Sequence, residues 1–467
     1  LDARWRACLP ILGHFRSMGE HARVIARVIP EFRGQEGMLS NALAKLVPTG
    51  IFESSGEMAA NLVTLEAVGR EAKPVTLVIP TCDRPAMLRR VLDSLVANRD
   101  RFGNEVACEV IDDSRRPESR EENARAVAEV DSQYPCRYFG QNAQDAFLAR
   151  LCDAIPEEDG RLRWLLSSGH PDHLGRATYG VPVNLAILRH AGRRVILIDD
   201  DALVRAWVRP GAQKSARFDN DFHTFGVFPD IDTATTTLDA CDEDPLALHE
   251  SVLGAAVGAA SARLGGVPIG QDAWAVAKVS DTEFLDPARS RVRYTANSTL
   301  GDPGTMRDLL TLQHLPRSIA NDDAEYRAFR EGTRCLFNGQ GWPAFVSNGW
   351  FQRSTAAGLD LAPYMPPLMP FGRGEDSMAG RLIRFLYPND CGIRFNFGME
   401  HRPEEERRWM IAPEVLEPTP SAPDAFNMWL GSLGSQGDLD AAEKMRVAGE
   451  EIGRMMSHGK REVFLQD

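Results

Sequence analysis

The sequence predicts an α/β chain: a mostly parallel sheet flanked by helices, with helical additions at both ends. Val75-Thr-Leu-Val-Ile-Pro80, Glu109-Val-Ile-Asp-Asp-Ser114 and Arg194-Val-Ile-Leu-Ile-Asp-Asp-Asp201 are short apolar runs that end in polar or acidic residues. Runs of this length and composition suit strands buried on both faces. Between the first two lies Met87 to Val96, an amphipathic stretch with Leu88, Val91, Leu92 and Leu95 on one helical face. A strand, a crossover helix and a strand of this length make a parallel pair.

Residues 1–73 read as an N-terminal helical subdomain. Apolar positions recur at helical spacing through Ala22 to Ile29 and Met38 to Val47, with Pro30 and Pro48-Thr-Gly50 as breaks. The main domain is expected over 74–403. After its second strand come a polar tract at Arg115 to Ala124, a strand at Arg137-Tyr-Phe139, a helix over Ala143 to Ile155 and a strand at Arg163-Trp-Leu-Leu166. A helix over Val183 to Ala191 then leads into the acidic-ended strand. His223 to Phe228 reads as a strand and Leu246 to Leu264 as helix, while Tyr294 to Gly304 reads as a polar, Gly-rich loop of the kind that lines a site. Leu361 to Gly374 is rich in Pro and Gly, and Glu375-Asp376 precedes a helix over Ser377 to Leu386. Asn396 to His401 and the charged run Glu404 to Arg408 follow. Residues 404–467 form a helical, charged appendage, for packing or for oligomerisation.

With 467 residues, 43% hydrophobic and 25% charged, the chain has ample material for a core. A net charge of −13 argues against a general binder of nucleic-acid backbones. Eight scattered cysteines with no CxxC pair read as reduced, buried thiols rather than a disulfide frame or zinc site. Leu1-Asp-Ala-Arg-Trp-Arg lacks the apolar core of a signal peptide, and the uncharged run Ser251 to Ala262 is too short to span a bilayer. The expected location is cytoplasmic, or peripheral at the inner membrane face.

The chemistry is concentrated in Asp199-Asp200-Asp201. Three adjacent carboxylates at the C-terminal end of a buried strand stand where open α/β sheets bind ligands. Their mutual repulsion calls for a cation, and hard oxygen ligands suit Mg²⁺ or Mn²⁺ with substrate phosphates completing the shell. A solvated acidic turn is the plain alternative.

Together these residues carry a resemblance. Val78-Ile-Pro-Thr-Cys-Asp-Arg-Pro85 with its helix, Val110-Ile-Asp-Asp-Ser114, Asn184, Ile198-Asp-Asp-Asp201 and Gly374-Glu-Asp376 resemble, in that order, the motifs of GT-A-fold (Rossmann-like) glycosyltransferases of the family 2 type, including the DxD motif. The resemblance covers about 74–210 and 365–402. It implies a nucleotide half over about 74–210 and an acceptor half over about 211–403. The activity it implies is that of a hexosyltransferase-type enzyme (EC 2.4), which transfers a sugar from a nucleotide sugar, first a UDP-sugar, by a metal-dependent inverting displacement.

The resemblance also implies the roles. Asp201 is the first metal ligand. Asp199 contacts the ribose or a metal-bound water and Asp200 assists, with His401 as a candidate third ligand to Mn²⁺ or Mg²⁺. Pro80, Thr81 and Arg84 face the base, and Asp112 or Asp113 accepts from its N–H; side-chain alternation leaves that choice open. Arg176 and Asn184 are candidates for phosphate or base contact. Asp376 is the general base, with Glu375 orienting acceptor or sugar. Ordinary structural roles, such as surface arginine, helix-terminal acid or packed histidine, compete at each position. The rival activities are a nucleotidyltransferase, disfavoured because Thr81 to Pro85 lacks glycine and carries one base, and a non-catalytic binding or scaffold protein of the same fold. The acceptor, whether saccharide, lipid-linked or protein, is open. A nucleic-acid partner and a membrane span are not expected, and a homo-oligomer is a further option.

Overall fold

The computed structural model describes residues 3–52, 54–64, 73–266, 278–286, 289–304, 314–332, 334–349, 351, 355–405, 407, 422–434 and 439–457. The expected boundary at 73/74 adjoins residues outside that set, as does part of the run Glu404 to Arg408.

Helices α1 (Ala3–Leu12), α2 (Met18–Val28), α3 (Glu36–Ala44) and α4 (Ser55–Thr64) form the expected helical N-terminus. Helix α2 starts on a capping box, in which the Ser17 side chain accepts from Glu20 N–H while the Glu20 carboxylate accepts from Ser17 N–H. Its inner face, Ala22, Ile25 and Ala26, packs with Cys8, Phe32, Leu39 and Leu43 into a small separate core.

The βαβ prediction holds. Strand β1 (Val75–Thr81), helix α5 (Pro85–Phe102) and strand β2 (Cys108–Asp112) are followed by α6 (Pro117–Asp131), β3 (Cys136–Phe139), α7 (Gln141–Ala154), α8 (Asp159–Leu166), α9 (Gly180–Arg189) and β4 (Arg194–Ile198). Strands β3, β2, β1 and β4 lie side by side in that order and all pair in parallel. Alternation along them builds the two cores. Leu77, Ile79, Val110, Ile196 and Ile198 face α5 and α6, which bring Leu88, Val91, Leu92, Leu95, Val127 and Val130. Val78, Ile111, Val195 and Leu197 face α7, α8 and α9.

Strand β5 (Ala202–Val208) turns back directly after the acidic triplet. The short strands β6 (Arg217–Phe218), β7 (Gly226–Val227) and β8 (Asp239–Ala240) follow, then β9 (Val292–Gly301), β10 (Leu336–Phe337), β11 (Ala344–Val346), β12 (Ala356–Asp360) and β13 (Cys391–His401). The sheet continues from β4 through β12, β9, β13 and β11 to β6. Here parallel and antiparallel pairs mix: β12 runs antiparallel to β4 and to β9, whereas β9 and β13 are parallel. The C-terminal ends of β1, β2, β4, β9 and β13 therefore share one edge.

Five expectations are corrected. Arg163 to Leu166 is not a strand but the end of α8, where Leu162, Leu165 and Leu166 meet the core at helical spacing. Tyr294 to Gly304 is mostly strand β9, ten residues all buried. Three of its polar side chains are satisfied inside: Asn297 Nδ2 donates to Thr355 Oγ1 at 2.6 Å, Ser298 Oγ to Phe395 O at 3.0 Å, and Thr295 Oγ1 bonds His249 Nδ1 at 2.7 Å, while the Tyr294 and Thr299 hydroxyls are buried without a hydrogen bond. The helix over Leu246 to Leu264 is two, α11 (Pro245–Val252) and α12 (Val257–Arg263), broken at Gly254 with φ +75°. Of the eight cysteines seven are buried, but Cys82 is exposed in the loop after β1. In addition, only Gly226–Val227 of the 223–228 stretch is strand.

The helix Glu375–Leu386 packs on α9's side of the sheet through Ala379 and Ile383. Its opposite face is covered by the C-terminal helices Ala422–Ser432 and Ala441–Ser457, through Leu382, Trp429, Leu430 and Ala448. Among the described residues no helix is long and apolar enough to cross a membrane.

Candidate functional site

Sheet register brings the acidic triplet and His401 together. Strand β13 pairs antiparallel with β5, setting His401 opposite Ala202, one residue after the triplet. Arg402 N–H donates to Asp201 O at 2.9 Å and closes that corner. His401 Nε2 then lies 2.9 Å from Asp201 Oδ1, across two hundred positions of sequence. Its Nδ1 is bonded to the backbone carbonyl of Asp302, just past β9. With Nδ1–H donating to that carbonyl, Nε2 is the nitrogen turned to the acid cluster.

Arg84 reaches the same cluster from the start of α5. Its Nη1 lies 3.2 Å from Asp200 Oδ1 and 3.3 Å from Asp201 Oδ2. Thr81 Oγ1 donates to Asp200 Oδ2 at 2.8 Å. The loop between is held by Asp83, the one described non-glycine residue at positive φ, whose N–H donates to Ser114 Oγ at 2.7 Å. Loops from β1 and β2 are thereby tied edge to edge.

Neighbouring charges split the two inner carboxylates, which are both buried. Burial, with Asp201 beside it, pushes Asp200 up to about 7, against the pull of Arg84 and Thr81. Burial also acts to raise Asp201, but the His401 imidazolium and Arg84 outweigh it and hold Asp201 at about 2. Burial acts to lower His401, and Asp201 with the Asp302 carbonyl outweighs it, raising His401 to about 9. Asp199 is half-buried, its backbone N–H bonded to Thr355 O at 3.1 Å.

The two β2 acids turn to opposite sides. Asp112 is spent internally: Oδ1 accepts from Ser114 N–H at 2.8 Å, and Oδ2 from Asn123 Nδ2 at 3.0 Å and Tyr138 Oη at 2.7 Å. Asp113 Oδ2 accepts from Thr178 Oγ1 at 2.7 Å and the Ser168 hydroxyl lies close enough to stabilise the carboxylate, while its buried Oδ1 has no hydrogen-bond partner. Burial raises the Asp113 pKa. A buried acceptor left open beside a binding edge suits an N–H donor from a ligand. Pro80, on β1, sits between Ile79 and Thr81 and pairs with Ile111 in the ladder.

The rim joins stretches that the sequence marked, 301–304 and Glu375-Asp376, to side chains that it did not, Tyr179 and Arg373. Arg373 Nη1 donates to Gly304 O at 3.1 Å, and its guanidinium lies 5.2 Å from the Tyr179 ring centroid. Tyr179 also acts electrostatically on Arg84, and Gly304 abuts the His401 ring. Glu375 and Asp376 open the next helix, behind Gly374 at φ +95°, both half-buried, and Asp376 Oδ1 accepts from Ser377 N–H at 2.7 Å. Tyr179, Arg373 and Asp302 carried no motif; only the Gly-rich character of 301–304 marked that stretch as site-forming.

Two candidates stand apart. Both ends of the Asn184 amide are bonded to the backbone of Leu368. Arg176 is exposed, with its guanidinium 4.5 Å over the Phe371 ring.

Asp201 Oδ1 and His401 Nε2, an ion pair as they stand, are spaced as two adjacent ligands of one divalent ion once His401 gives up its Nε2 proton, since bonds of about 2.1 Å at right angles give a separation of about 3 Å. Among the described residues no group of three or more His, Cys, Asp or Glu side chains could hold a metal. The donor set fits an ion that takes two protein ligands and leaves its other positions to phosphate oxygens and water.

No protein-family model and no curated protein matches the chain. Solved structures that resemble it include TarS residues 1–349 of S. aureus, at TM-score 0.30 and 12% identity, covering 84% of this chain and 75% of that one. Another is the mannosyltransferase PcManGT from Pyrobaculum calidifontis in complex with GDP-Man and Mn²⁺, at TM-score 0.32 and 11% identity, covering 87% and 89%. Likeness at this level does not extend to side chains.

Proposed function

We propose that the chain is a metal-dependent glycosyltransferase that moves a sugar from a nucleotide diphosphate donor, first a UDP-sugar, to an acceptor hydroxyl. The observation that carries this reading is the Asp201–His401 pair, beside Asp200 and Arg84 at the C-terminal edge of parallel strands. Asp201 and His401 would hold Mn²⁺ or Mg²⁺. The bound ion supplies positive charge to the departing diphosphate.

The chain's own residues do the rest. Asp113 Oδ1 accepts from the base N–H, with Thr81 and Pro80 alongside. Asp199, half-buried beside them, takes the ribose hydroxyls. Arg84 and Arg373 add cationic hydrogen-bond donors facing the diphosphate. Asp376 removes the acceptor proton as the hydroxyl oxygen bonds to the anomeric carbon and the bond to the diphosphate oxygen breaks, giving inversion. Glu375 orients the acceptor.

Calorimetric titration of UDP and GDP, each with and without Mn²⁺, on wild type and Asp201→Ala tests the donor half. The expected result is Mn²⁺-dependent binding of UDP that Asp201→Ala abolishes. Absence of binding by both nucleotides in all conditions overturns the reading.

A further inference from the structure

Arg394 lies on the same strand as His401, seven positions earlier, which at about 3.3 Å per residue sets it roughly 20 Å from the acid cluster. It is 8% exposed. Its Nη2 donates to the carbonyls of Asp219 at 3.3 Å and Asp221 at 2.7 Å, and its flat face lies 4.4 Å from the Phe222 ring centroid. Nε and Nη1 have no partner, and no carboxylate of the described residues pairs with the guanidinium. Burial lowers its pKa to about 10.

Two neighbours share the deficit. Gln340, 4% exposed, donates Nε2 to the same Asp221 carbonyl at 2.9 Å and leaves Oε1 without a partner. Arg217 lies over the Trp342 ring at 4.0 Å with Nε unpartnered. The half-exposed rings of Phe222, His223, His314 and Trp342 surround them, with His314 close enough to His223 and Arg394 to feel both charges.

Nearby acids are already engaged. Asp219 Oδ2 meets His223 Nε2 at 2.7 Å and Trp342 Nε1 at 3.2 Å, its Oδ1 accepts from Asp221 N–H at 3.0 Å, and Asp221 pairs with Lys278. Asp281 takes Asn220 Nδ2 at 2.6 Å.

Buried guanidinium N–H groups with nothing to donate to are costly, and an oxyanion lying in the guanidinium plane satisfies such a donor with a charge-assisted hydrogen bond. Gln340 Oε1 is an acceptor and suits a ligand hydroxyl. A partly exposed Trp suits the C–H face of a ring. We propose that Arg394, Gln340 and Arg217, roofed by Phe222 and walled by Trp342, form a second ligand site for a sugar-like ring bearing a phosphate or carboxylate. The inference is independent of the sugar-transfer reading.

Calorimetric titration of the full chain with inorganic phosphate, glucose 6-phosphate, glucuronate and neutral glucose tests it, in wild type, Arg394→Met, Gln340→Glu and Asp201→Ala. The expected result is saturable binding of at least one anionic sugar in wild type and Asp201→Ala, none of glucose, and weakening by about tenfold or more in Arg394→Met. Comparison of glucose 6-phosphate with glucuronate decides between phosphate and carboxylate. Arg394→Met exchanges a buried charge that Asp219 and Asp221 offset only at a distance for an apolar chain, a change proteins often accept. Gln340→Glu keeps Arg394 and opposes an anion by repulsion, so it tests the site if Arg394→Met fails to fold. No saturable anion binding in wild type overturns the proposal. So does binding that survives unchanged in both Arg394→Met and Gln340→Glu, or that vanishes in Asp201→Ala.

Discussion

Asn184 and Leu368 hold one another by reciprocal hydrogen bonds: Leu368 N–H donates to Asn184 Oδ1 at 2.7 Å, and Asn184 Nδ2 donates to Leu368 O at 2.9 Å. The amide does what a neighbouring strand would do for the 361–374 segment, which runs directly into Glu375 and Asp376. Asn184→Ala leaves two buried backbone groups of Leu368 unsatisfied, at about 1–3 kcal/mol each. The expected loss of unfolding free energy in urea is about 2–6 kcal/mol. A loss under about 0.5 kcal/mol, the range of a plain surface change, contradicts the clamp.

Gly180 pins the same segment from the first turn of α9. A Cβ built there lies 1.9 Å from the Met369 carbonyl oxygen, and Gly180 N–H donates to Pro370 O at 3.2 Å. The obstacle is backbone, so Gly180→Ala must displace the segment. Its expected cost is about 1–3 kcal/mol, and because both substitutions release one segment, the double variant should cost less than the two single losses added. Strict additivity in equilibrium denaturation contradicts this coupling.

His249 gives the chain an acid limit of its own. It is fully buried, bonded to Thr295 Oγ1, with its ring 4.8 Å from that of Phe395, and burial holds it down at about 3. The unfolded imidazole titrates near 6.5, so the folded state favours the neutral form. Its contribution is complete above pH about 6.5 and is lost as pH falls from there toward 3, by up to about 1.4 kcal/mol per unit. Urea midpoints between pH 7.5 and 5 should fall more steeply for wild type than for His249→Asn. Equal slopes refute the assignment.

The strands β1, β2 and β4 and the helix between the first two were legible because both their faces are apolar, and burial leaves a plain mark on composition. Strand β9 was not legible: its Thr, Asn and Ser side chains look like loop chemistry, and only partners distant in sequence, such as His249, Thr355 and Phe395, make their burial tolerable. Arg163 to Leu166 misled in the opposite way, since four residues are too few to separate period two from period 3.6. In the site, the acid triplet and His401 were visible as residue types, whereas Asp302 acts through a backbone carbonyl that no side-chain pattern encodes. Asp112 and Asp113 became distinguishable only once Asn123 and Tyr138 were seen to occupy the first.

His401 supplies a test of the metal half of the proposed site. If Asp201 and His401 share the ion, His401→Ala removes one of its two protein ligands and should lower Mn²⁺-dependent UDP affinity by about tenfold or more. UDP binding without Mn²⁺ should change little, because Asp113 and Arg84 are untouched. Equal Mn²⁺ dependence in His401→Ala and wild type removes His401 from the ligand set.

Asp376 separates binding from chemistry. It lies at the start of the helix Glu375–Leu386, with the Asn184-clamped segment before it and the C-terminal helices packed behind it. Asp376→Asn keeps the size and the acceptor oxygen for Ser377 N–H but cannot take a proton. Transfer kcat should therefore fall by about 10²–10⁴-fold, the usual worth of a general base, while the dissociation constant for UDP with Mn²⁺ stays at its wild-type value. Hydrolysis of the donor by water, measured as UDP release without an acceptor, should fall in parallel, since water needs the same base. A variant that loses nucleotide affinity instead would assign Asp376 to the donor pocket, and one with undiminished kcat would move the base to Glu375.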